Sequence, residues 1–156
     1  MCRRSPDRKR SHFFNSFFAQ KLFDEYNNNP NLRGVYNYSN VANWGSNDAV
    51  PLKEGEDIFD LKYIFIPINE SNIHWVSVMV FLEEKKICWY NSLGGTDRTK
   101  LNEILQYLKD EWRVKRGGEL DLNCEWKLVP CNKNDVPQQE NGKCDALSPC
   151  TQGNLL

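Results

Sequence analysis

Between Lys62 and Tyr90 the chain passes through three short apolar runs separated by polar turns. Lys62–Ile68 (Lys-Tyr-Ile-Phe-Ile-Pro-Ile) is β-branched and aromatic, which suits a half-buried pleated backbone, and Pro67 stands near its end. Asn69–Ile73 is a polar turn. Trp75–Leu82 and Lys86–Tyr90 follow, joined only by Glu83-Glu84-Lys85. A linker that short leaves no room for a crossover, so the two strands pair antiparallel as a hairpin.

Helical patterns flank these strands. From Phe13 to about Tyr26, apolar residues fall at 13, 14, 17, 18, 22, 23 and 26, with Asn15-Ser16 near the start and Asn27-Asn28-Asn29-Pro30 as a stop. Thr99 to about Lys115 puts Leu101, Ile104, Leu105, Leu108 and Trp112 on one face, and Gly117-Gly118 closes that helix. Residues 31–60 read as a long loop with short helical pieces, and Glu125–Val129 as one more strand. The order is helix, three strands, helix, strand, then a cysteine-bearing loop. It predicts an α+β domain with helices packed on an antiparallel sheet.

A chain of 156 residues, 40% apolar and 12% aromatic, fits one globular domain with a substantial core. Its net charge of −1 asks for no nucleic-acid partner. No apolar run reaches the ~18 residues of a membrane span, and no signal-peptide core follows Met1. The expectation is an intracellular monomer in nucleus or cytoplasm, with residues 1–12 as a basic flexible leader. The six cysteines (2, 88, 124, 131, 144 and 150) then read as thiols. The last four are spaced Cys-x6-Cys-x12-Cys-x5-Cys, without the tight knuckle of a structural zinc site, so neither metal nor cofactor is expected.

Pro137-Gln138-Gln139-Glu140-Asn141-Gly142-Lys143-Cys144-Asp145 carries the chemistry. Asn-Gly lets the backbone bend, so a thiol and a glutamine amide can face one spot, as a nucleophile and an oxyanion donor. Taken alone, Cys144 could equally be an ordinary loop cysteine. A base is needed, and the chain has two histidines, His12 in the charged leader and His74 where a turn enters a strand. Asn91 lies 17 residues after His74, at the same end of the neighbouring strand, where its side-chain carbonyl can fix the ring tautomer. Each alone has a bland reading, a structural histidine or a turn asparagine; their pairing favours chemistry.

Phe14-Asn15-Ser16-Phe17-Phe18, Val41-Ala42-Asn43-Trp44, Ile64–Asn69 followed by His74-Trp75, Trp89–Leu93 and Pro137–Gly142 together resemble the successive motifs of the ubiquitin-like-protein-specific cysteine proteases, the SUMO-deconjugating family. The resemblance runs from about residue 13 to 143 and implies a papain-like α+β catalytic domain over 13–145. It implies cleavage after the C-terminal di-glycine of a SUMO-like modifier, free or conjugated. By position, His74 matches the general base and Gln139 the oxyanion-hole glutamine. Trp75 matches the tryptophan over a tunnel that only glycine can pass; as a residue by itself it would suit a strand core.

Three departures stand beside the resemblance. The family has an acid at Asn91, and an amide stabilises an imidazolium less than a carboxylate does. The family's nucleophile position falls on Asp145, so Cys144, the candidate nucleophile, stands one residue early. The family's long helix after the cysteine has no counterpart in the divergent tail 146–156, where Pro149 and Gly153 oppose a helix. The family's leading Trp-Leu-Asn-Asp-type segment is also absent. The loss of pattern after Lys143 suggests a replaced end, through a frame shift or an alternative terminus. The alternative function is a catalytically impaired relative that binds a modifier without hydrolysing it.

Overall fold

The computed structural model describes residues 11–44, 55–120, 125–132, 134, 136 and 137. Gln139, Cys144, the tail 146–156 and most of the leader lie outside the described residues.

Among the described residues, five strands form one sheet in chain order: β1 (Ser11–Phe13), β2 (Tyr63–Glu70), β3 (His74–Phe81), β4 (Lys86–Tyr90) and β5 (Lys127–Val129). The centre, β2 to β4, is antiparallel, as the short turns require. The edges differ, because β1 runs parallel to β2 and β5 parallel to β4, so the sheet is mixed. Both edge strands arrive through long connections that pass over helices, which is what parallel pairing needs.

Alternation along the strands sorts the side chains. Ile64, Ile66, Ile68, Val76, Val78, Val80, Ile87 and Trp89 are buried on one face. Against them pack Phe18, Ala19 and Leu22 of α1 (Phe17–Leu22) and Leu101, Ile104, Tyr107 and Leu108 of α2 (Arg98–Arg116). α2 starts on Asp97, whose carboxylate accepts from the Lys100 amide at 3.0 Å, and ends on Gly117 at φ 71°. Among the described helices none is long and apolar enough to cross a membrane.

The first helical expectation needs correction. Residues 11–13 are a strand, and the helix is confined to Phe17–Leu22 rather than Phe13–Tyr26. Phe13 is exposed while His12 and Phe14 are buried, a period of two rather than 3.6. The Phe14 amide donates to the Phe65 carbonyl at 3.0 Å, continuing the pairing with β2. The helix stops early because Asp24 takes a left-handed φ of 45°. Ser11 and His12 therefore belong to the fold and not to a leader. The His12 ring meets Phe14 edge to face at 4.5 Å, and Phe14 stacks on Phe18 at 3.7 Å.

Among the described residues, three short 3-10 turns, Pro30–Leu32, Tyr38–Asn40 and Ile58–Asp60, supply the short helical pieces expected in this part of the chain. Two are tied to α2 by side chains. Tyr36 and Tyr38 donate to Asp110 and Glu111, each at 2.6 Å, and Arg116 grips Asp57 through two bonds of 2.9 and 3.0 Å and Asp60 through one of 2.8 Å.

Candidate functional site

His74 opens β3. The turn before it, Glu70–Ile73, is closed by the Ile73 amide donating to Glu70 at 3.1 Å, with Ser71 and Asn72 at φ 54° and 60°. Two consecutive left-handed residues give the twist that joins antiparallel strands tightly. His74 is thereby paired with Glu70 at the last rung of the sheet, on the core side but at its end. Only 8% of its surface is exposed.

Asn91 follows β4 directly, at the same end of the sheet, and is buried. Its Oδ1 lies 2.7 Å from His74 Nε2. The Leu93 amide also donates to Oδ1, at 2.9 Å, which closes a local Asx turn. That second bond decides the roles of the first. A backbone N–H must meet an acceptor, so the Asn91 atom facing it is the oxygen, and His74 Nε2 must be the donor to it. The ring is thus held as the Nε2–H tautomer, with the Nδ1 lone pair available to take a proton.

Trp75 points to the opposite face of the sheet from His74 and is 37% exposed. It is not a core residue, which corrects that alternative: the core side of β3 is filled by Val76, Val78 and Val80. Leu93 and Ile73 are also exposed around the same end.

The structure therefore brings His74 and Asn91 together, with Trp75 next to His74 in the chain. Gln139 and Cys144 lie outside the described residues, so their distances to the ring belong to experiment. Among the described residues no group of three or more His, Cys, Asp or Glu side chains could hold a metal ion. Sequence reasoning missed the contacts behind Asn91. The Gly94 amide donates to its main-chain carbonyl at 3.0 Å, and the Cys131 thiol donates to the same oxygen at 3.3 Å. No local signal predicts the thiol contact, because it depends on β5 lying beside β4.

A family model described as the Ulp1 protease family, C-terminal catalytic domain, matches residues 2–145. The ubiquitin-like-specific protease ESD4 of Arabidopsis thaliana is 32% identical over 131 residues, covering 84% of this chain and 24% of its own length. Sentrin-specific protease 2 of Homo sapiens is 28% identical over 145 residues, covering 93% of this chain and 21% of that protein. A structure of the SUMO protease Ulp1 with its catalytic cysteine oxidised to a sulfonic acid aligns at a TM-score of 0.60 and 25% identity, over 87% of this chain and 54% of that one. The C-terminal Ulp1 protease domain in complex with Smt3, the yeast ortholog of SUMO, aligns at 0.57 and 25% identity, over 87% and 53%. The chain spans 24% of the length of ESD4 and about half of these solved chains. The family match covers all but the ends of the chain, and the solved relatives share its mixed sheet with flanking helices: the chain belongs to the Ulp1 protease family, as a part of its C-terminal catalytic domain.

Proposed function

We propose that this chain is a cysteine-type peptidase that cleaves after the C-terminal Gly-Gly of a SUMO-like modifier, in the precursor or in a conjugate. The observation that carries the reading is the bond of 2.7 Å between His74 Nε2 and Asn91 Oδ1, which leaves Nδ1 as a base at the sheet end. Family membership supplies the substrate class.

In this reading the Cys144 thiol gives its proton to His74 Nδ1 and its sulfur attacks the glycine carbonyl carbon. The carbonyl oxygen becomes an oxyanion, and the Gln139 side-chain amide donates to it. The tetrahedral intermediate collapses and the C–N bond breaks. The leaving amine takes the proton from the imidazolium, and a thioester joins Cys144 to glycine. Water, deprotonated by the same ring, then hydrolyses the thioester and restores the thiol. Asn91 holds the ring through both proton transfers. Trp75 lies over the di-glycine, where any side chain larger than hydrogen would collide with the indole. The chain works as an intracellular monomer without metal or cofactor.

The test is hydrolysis of a modifier whose C-terminal Gly-Gly is amide-linked to a fluorogenic amine. The reading expects release of the amine by the wild-type chain and none by Cys144→Ala. Modifier binding with no release would instead establish a binding-only relative, and release that survives Cys144→Ala would overturn the assignment of the nucleophile.

A further inference from the structure

Asn91 is held at four points. Its Oδ1 accepts from His74 and from the Leu93 amide; its main-chain carbonyl accepts from the Gly94 amide and the Cys131 thiol. A carbonyl oxygen has two lone pairs, so these two donors fill it and fix the plane of that peptide. Two of the four bonds come from its own turn. Gly94 and Gly95 follow each other there at φ 80° and 83°, backbone that no side chain helps to hold in place.

Apart from His74 itself, the tether from outside the turn is Cys131, two residues beyond β5 and half-buried against the core. Its thiol donates to the Asn91 carbonyl at 3.3 Å, and its own amide donates to Thr96 Oγ1 at 2.7 Å. Thr96 lies just past the two glycines. Cys131 thus closes a clasp across the mouth of the turn, gripping residues 91 and 96 on either side of the glycine pair.

We propose that Cys131 is a positioning residue for His74, acting through Asn91. The clasp sets the angle at which Asn91 presents Oδ1 to the ring, and so keeps the imidazole in the tautomer that leaves Nδ1 basic. The inference rests on the reading of Asn91 as the residue that orients the base. It differs from a packing role, in which the thiol only fills space and its loss would lower stability without touching the ring.

The experiment is ¹⁵N–¹H correlation of the two histidine rings in the full chain, at a pH where they are neutral, for wild type, Cys131→Ala, Cys131→Ser and Thr96→Val. Wild type is expected to show His74 as the Nε2–H form. Cys131→Ala lowers the ratio of Nε2–H to Nδ1–H forms roughly fivefold, the effect of losing one net hydrogen bond. Cys131→Ser, which keeps a donor, recovers most of it. Thr96→Val moves the ratio in the same direction with the thiol intact, and serves if the alanine variant folds poorly. An unchanged ratio in folded Cys131→Ala and Thr96→Val, with only the melting temperature lowered, would overturn the proposal.

Release of the fluorogenic amine, measured on the same samples, separates the two readings. A wild type that releases none, yet shows the expected ratios, refutes the peptidase and leaves the clasp standing. Active wild type with the ratio unmoved in the variants refutes the clasp alone.

Discussion

At the scale of single residues, the consequence most open to test is the amide at position 91. A carboxylate there would accept the same two bonds from His74 and Leu93 and add a full charge 2.7 Å from the ring that becomes an imidazolium in the proposed reaction. Asn91→Asp is therefore expected to raise the rate of modifier cleavage at least tenfold, by order of magnitude, since neutralising a triad acid costs far more than that where it has been measured. Steady-state release of a C-terminal fluorogenic amine reads the change. A rate equal to or below that of the wild type would show that imidazolium stabilisation does not limit the proposed reaction. Asn91→Ala removes both bonds and should slow the reaction by roughly a hundredfold or more, on the scale of losing a general base's orientation.

At the scale of elements, α2 is the member that holds the irregular half of the chain to the sheet. Tyr38 donates to Glu111, a carboxylate only 1% exposed, with Lys115 no nearer than 4.0 Å. Burial raises the Glu111 pKa above its ordinary value, while the Tyr38 bond opposes the rise. A raised folded value means that folding favours the protonated acid. The stabilisation is then fully present below the usual glutamate range and is lost as pH climbs through the raised value. Glu111→Gln should flatten that decline in a melting-temperature series across pH 4 to 8; an unaltered slope would show that other groups set it. Tyr38→Phe strands the carboxylate and should cost about 1–3 kcal/mol in urea unfolding, the penalty for an orphaned buried acceptor.

The last turn of the same helix behaves in the opposite sense. The Asp57 amide and then Arg116 hold the Asp60 carboxyl below its ordinary range, so the Arg116 contacts persist at neutral pH and fade in acid. Arg116 also lies over the Trp112 ring, at 4.9 Å. Arg116→Ala should cost about 1 kcal/mol, because partly exposed ion pairs are screened and the stacked guanidinium supplies much of the effect. Added salt should leave most of that difference in place. Its complete loss at high salt would show that charge alone was at work.

At the scale of the whole molecule, what the sequence reveals follows the range of the interaction. The central hairpin and α2 were legible because their periodicity is local, and both lie within a residue or two of where the pattern placed them. The pairing of His74 with Asn91 was legible for the same reason, since 17 residues across a tight hairpin bring two strand ends together. β1 was not, because three residues form a strand only through pairing with β2, and their apolar spacing fits one turn of helix equally well. The tyrosine bonds to α2 span 74 and 73 positions, and the Cys131 contact 40, so nothing near those residues announces them. The polar loop with Gln139 and Cys144 is legible by its motif alone, and the proposed meeting of its thiol with the ring is the step that ties sequence to mechanism.

That step has a direct measurement. The full chain is incubated with a modifier bearing a C-terminal electrophile in place of the scissile bond, and the adduct is mapped by peptide mass spectrometry. Six cysteines compete for the reagent. The account predicts a single adduct on Cys144, formed by the wild type and lost in His74→Ala. An adduct spread over several cysteines, or one on Cys144 that forms equally fast without the imidazole, would contradict it.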